Sequence, residues 1–200
     1  LDAMSTKRGQ SWGHADDFQR GAVLTALWPL ATNAVDGVAL AALGCFAISQ
    51  EDSALFAPFV EGMVQIASHG STVPRRVAAM TAFSGTQFTV VSNALPQWLR
   101  DPAEDVRLQA VLLLPNYPGD FSENALRKLA DDPSPKLRAG VADAIGNGKL
   151  ISLLPVLKTL LLDPIGRTNP VPPLTTAELQ GGGRVWGSNN SDVHTAAGYA

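Results

Sequence analysis

The chain has 200 residues, 46% of them hydrophobic and 16% charged, with 15 Lys and Arg against 18 Asp and Glu for a formal charge of −3. That balance is too apolar for a disordered chain and lacks the basic excess of a dedicated nucleic-acid binder. The single Cys45 excludes an internal disulfide and a cysteine zinc cluster, no secretory signal is visible in the polar residues 1–20, and the longest apolar run, Val38 to Ile48, is too short to span a bilayer.

Residues 16–50 predict a divergent helix pair, Asp16 to Leu30 and Asn33 to Ile48. From 52 to 164 a sharper register takes over. Asp101-Pro102, Asp132-Pro133 and Asp163-Pro164 recur every 31 residues, as do Arg76, Arg107 and Arg138. Asn93-Ala94-Leu95, Asn124-Ala125-Leu126 and Pro155-Val156-Leu157 keep the same step. Internal repeats of this length mark stacked supersecondary units.

Each unit predicts two helices. The first carries Leu95, Trp98 and Leu99 in one copy, Leu126, Leu129 and Ala130 in the next, then Leu157, Leu160 and Leu161. Offsets of three and four place each set on one helical face. The Asp-Pro step is expected to open the second helix, with Asp as the cap and Pro in the first turn, where its missing N–H has no partner to lose. That helix carries Val106, Ala110, Val111 and Leu114, and later Leu137, Val141, Ala142 and Ile145. Gly146-Asn147-Gly148 is expected to stop it, since glycine tolerates the left-handed C-terminal geometry. A lone pair cannot bury both apolar faces, whereas stacked pairs can.

The stretch after 164 breaks the pattern. Asn169-Pro170-Val171-Pro172-Pro173 and Gly181-Gly182-Gly183 forbid a continuous helix, so 165–190 predicts a long loop insertion. Residues 191–200 begin a further second helix, with Val193, His194 and Ala197 aligned on Val106, Arg107 and Ala110.

The 52–164 unit resembles a HEAT repeat, whose pattern has a Pro in the first helix, an Asp in the turn and an Arg six residues later. Pro155 matches the proline, Asp101, Asp132 and Asp163 the aspartate, and Arg107 and Arg138 the arginine. The copy whose first helix ends at Gly70 keeps Arg76 without the Asp, and Asn93 and Asn124 replace the proline elsewhere. The resemblance implies an all-α fold, a right-handed α-solenoid of antiparallel helix pairs forming a single domain over 1–200. It also implies that Arg76, Asp101, Arg107, Asp132, Arg138 and Asp163 form a structural ladder between neighbouring repeats.

Catalytic and metal patterns are weak. Periodic Asp and Arg point to structure, because a catalytic site needs one copy. His14, His69 and His194 lie far apart, and none belongs to an HExxH motif. No Gly-x-Ser-x-Gly elbow is present. Gly146-Asn147-Gly148-Lys149 fails as a phosphate loop, with Leu150 in place of Ser or Thr and Asp143 in place of the first glycine. No cofactor and no metal are therefore expected, and the enzymatic alternatives, a DNA glycosylase of the alkylpurine type or a bilin lyase, rest on fold analogy alone.

The expected work is to hold a protein partner, as a scaffold in the cytoplasm with no membrane contact. Solenoids bind on the face lined by successive second helices. Arg75, Glu104, Gln109, Lys136 and Asp143 are the candidates there, and Arg167, Arg184 and Trp186 those of the insertion, since Trp and Arg are enriched at interaction hot spots. Nucleic acid is disfavoured, because Glu104, Asp105, Asp131 and Asp132 sit among the basic residues. The chain opens on Leu1 and closes at Ala200 inside a helical pattern, so it is expected to be a segment of a longer protein.

Overall fold

The computed structural model describes residues 17–48 and 53–162. The loop insertion at 165–190, the helix start at 191–200, Asp163, Arg167, Arg184 and Trp186 lie outside the described residues. Every described element is helical: α1 (Asp17–Ala31), α2 (Asp36–Ile48), α3 (Ser53–Phe56), α4 (Val60–His69), α5 (Val73–Thr81), α6 (Thr89–Trp98), α7 (Glu104–Leu113), α8 (Asp120–Leu129), α9 (Pro135–Asn147) and α10 (Leu154–Leu160). Short 3-10 turns at Ala57–Phe59, Leu114–Asn116 and Ile151–Leu153 join or extend them.

The helices pair as the register predicts. α1 lies on α2, α4 on α5, α6 on α7, and both α8 and α10 on α9. The second helices also pack on one another in order, α2 on α5, α5 on α7 and α7 on α9. All eight apolar positions expected on the two later second helices are buried. Leu95, Trp98, Leu126, Ala130, Leu157 and Leu160 are buried too, with Leu99 and Leu129 packed half-buried against them. Leu161 differs: it follows the end of α10 and is 39% exposed.

Aromatic rings join the first pairs. Phe46 meets Phe56 edge-on at 6.0 Å between centroids, Phe56 meets Phe83 at 6.1 Å, and Phe83 stacks on Trp98 at 6.1 Å. Such contacts add about 0.5–1.5 kcal/mol each beyond burial. The Trp98 indole Nε1–H donates to Ser68 Oγ at 2.9 Å, so its one polar atom is satisfied inside the stack. Gly62 makes room for Trp28, whose ring occupies the place a Cβ would take.

Two local expectations differ from what the turns do. The Asp-Pro steps do not start the second helices: α7 begins at Glu104 behind Ala103, and α9 begins at Pro135 behind Ser134. Asp101 Oδ1 accepts the Ala103 N–H and Asp132 Oδ1 the Ser134 N–H, both at 2.8 Å. A short carboxylate prefers this closed Asx turn with the N–H two residues on, so the proline lies in the turn ahead of the helix. The cap of α9 is Ser134, whose Oγ accepts the Leu137 N–H at 3.2 Å.

At the other end of α9 the left-handed residue is Lys149, with φ of 51°, and not a glycine. The Leu150 N–H donates to Ile145 O and the Lys149 N–H to Gly146 O, both at 3.1 Å, the paired bonds of a Schellman cap. Gly148 is needed for space instead, because a Cβ there would press on Pro115 and on the Ala144 carbonyl.

Candidate functional site

The arginines at the inter-helix turns are largely engaged there. Arg107 Nη1 donates to the carbonyls of Asp101 at 2.8 Å and Pro102 at 3.1 Å. Arg138, which is buried, does the same to Asp132 at 2.7 Å and Pro133 at 3.1 Å. Each guanidinium thus ties the turn that precedes its own helix. Arg76 reaches further, pairing through Nη1 with Asp101 Oδ2 in the next turn, with side chains only 15% and 11% exposed. No described ion pair joins Arg107 to Asp132.

Arg75 is not on an open face. It is 9% exposed and turned toward the α1–α2 turn, with Nη2 donating to Asn33 O at 2.5 Å and Nε 2.5 Å from Asp36 Oδ1. That Nε makes no aligned hydrogen bond, so its contact with Asp36 is one of charge. The residues that receive it, Asn33 and Asp36, were not singled out from the sequence. Asn33 Oδ1 accepts the Val35 N–H at 2.8 Å, the same Asx turn that Asp101 and Asp132 make.

A set of mostly solvent-accessible positions on the second helices repeats every 31 residues. On α5 and just beyond it the positions are Pro74, Ala78, Thr81 and Gly85. On α7 and the following turn they are Asp105, Gln109, Leu112 and Asn116, and on α9 Lys136, Gly140, Asp143 and Asn147. All but Gly140 are exposed or half-buried, and half-buried Leu108 covers Gly140, standing where its Cβ would be. Asp105 and Lys136 form an ion pair across α7 and α9 at the N-terminal end of this strip. Glu104 accepts a hydrogen bond from the Ser134 hydroxyl between the same two helices.

Among the sequence candidates, then, Gln109, Lys136 and Asp143 share the strip, Glu104 sits at its edge within an interhelical bond, and Arg75 lies in the stack. Burial raises the pKa of the Asp143 carboxyl from its ordinary value. No hydrogen bond or ion pair from a described residue compensates it. No three His, Cys, Asp or Glu side chains among the described residues are grouped to hold a metal. No described helix is long and apolar enough to cross a membrane.

A family model described as HEAT repeats matches residues 92–168. No curated protein and no solved structure matches the chain.

Proposed function

We propose that the chain, whose residues 92–168 match a family model of HEAT repeats, is a non-enzymatic interaction module that holds a protein partner on the solvent strip of α5, α7 and α9. The observation that carries this is the order of the second helices, packed side by side with one solvent-facing strip in a common register. A right-handed superhelical stack would curve that strip inward, giving several helices one continuous surface to present. The 165–190 stretch, with Arg167, Arg184 and Trp186, is proposed as a second contact on its composition.

The electrostatics favour protein over nucleic acid. Arg75 and Arg76 are ion-paired, Arg107 and Arg138 hold backbone carbonyls, and Lys136 is paired with Asp105. Phosphate binding draws its affinity from cations that release counterions, and these cations already have anionic or carbonyl partners.

Photo-crosslinking in the producing cells tests the proposal. A photoreactive residue at Gln109 or Leu112 should trap one recurrent protein, and the same residue at Phe121 or Ile151, exposed on α8 and in the turn before α10, should not. Equal trapping from both sides would remove the strip from the account.

A further inference from the structure

Asp143 stands out on the strip. The same register position holds Thr81 on α5 and Leu112 on α7, so the stack itself does not require a charge there. Its carboxylate is half-buried and without a described partner, while Lys136 on the same helix is paired with Asp105. A desolvated charge without compensation is a local cost that proteins tend to retain for function.

The surroundings say what would compensate it. α7 and α9 pack along one another, with Asp105 on Lys136 at one end and Leu108 and Val111 against Gly140 a turn further on, which sets them side by side in register. Two turns on, Leu112 and Asp143 are therefore neighbours, and one turn further Asn116 and Asn147. Leu112 is 37% exposed, and Leu108 lies over Gly140 beside it. No described hydrogen bond engages the side-chain amides of Gln109, Asn116 or Asn147. Carboxylate, exposed leucine and open amides together match a long cationic side chain on an extended backbone. The cation meets the carboxylate, the aliphatic stem covers leucine, and amide groups bond peptide N–H and C=O.

Resting on the interaction reading above, we propose that the α7–α9 end of the strip seats an extended segment of the partner protein through one Lys or Arg. The cation lies on Asp143, its stem on Leu112 and Leu108, and the segment's backbone between Gln109 and the pair Asn116 and Asn147.

The test uses a random dodecapeptide display library panned on the full 200-residue chain and on Asp143→Asn, with circular dichroism confirming that both are folded. Wild type should recover peptides with Lys or Arg recurring at one position, and Asp143→Asn should lose that bias. In a synthetic recovered peptide, replacing the cation by norleucine should weaken binding to wild type about tenfold and leave binding to Asp143→Asn unchanged. Gln109→Ala with Asn147→Ala should weaken the Lys and norleucine peptides alike. Recovery of no peptide, of apolar peptides without a cation, or an equal norleucine effect on both proteins would overturn the proposal. If the crosslinks from Gln109 and Leu112 persist in that case, the interaction module stands and only its cationic specificity falls.

Discussion

Ser134 serves two helices with one hydroxyl. Its oxygen accepts the Leu137 N–H and caps α9, while its proton goes to Glu104 on α7. Ser134→Ala is expected to destabilise the chain by about 1 kcal/mol, a typical loss for an N-cap, as read from urea unfolding. Asp143 works in the opposite sense. Burial raises its folded pKa, so the fold favours the neutral acid. The penalty is complete above the raised value and disappears as pH falls through it toward the ordinary carboxylate range. Asp143→Asn should therefore melt higher than wild type near pH 7, and the gap should shrink on acidification toward pH ~4. A gap that stayed constant with pH would mean that the charge is not the cause.

At the scale of the helix, termini and close approaches matter more than propensity. Lys149 occupies a left-handed position that costs an L side chain about 1–2 kcal/mol. Lys149→Gly should recover about 0.5–1 kcal/mol of it, net of the extra freedom of glycine in the unfolded chain, visible as a raised urea midpoint. Gly62 is the reverse case, on α4 where Trp28 crosses. Phe46 and Phe59 hold the indole at 5.9 and 5.6 Å, so it cannot swing aside. Gly62→Val should destabilise by about 1–3 kcal/mol through overpacking, and an unchanged thermal midpoint would contradict that packing. The apolar faces of α7 and α9 were legible because burial there follows a local period of 3.6 residues. Their first residues were not, because an Asx turn and an N-cap use the same residue types and differ only in which N–H the oxygen reaches.

Across the whole molecule the turns act as joints. Arg76 and Asp101 tie consecutive repeats with little solvent at either side chain. Arg76→Ala leaves that carboxylate unpaired and should cost about 3 kcal/mol. Arg76→Met with Asp101→Asn should lose much less, since no charge is stranded and the amide oxygen can still close the turn. Chemical unfolding of the single and double variants checks this; equal losses would mean that the pair itself, and not the stranded charge, supplies the stability. Because each repeat touches mainly its neighbours, the loss is expected at one joint and not throughout the stack.

The 31-residue step, the helix pairs and their apolar faces were determined by the sequence alone, because each depends on neighbours a few residues away or on one constant spacing. Only the tertiary structure decided which arginines are used up. Arg75 and Arg76 are adjacent and alike in sequence, yet one turns back to Asn33 and Asp36 and the other forward to Asp101. The backward partners lie in the divergent first pair, outside the register, so periodicity could not point to them. The strip's one uncompensated charge was likewise decided in three dimensions. Whether Asp143 meets a cation depends on what the parallel neighbour α7 places beside it, and at that level α7 presents Leu112.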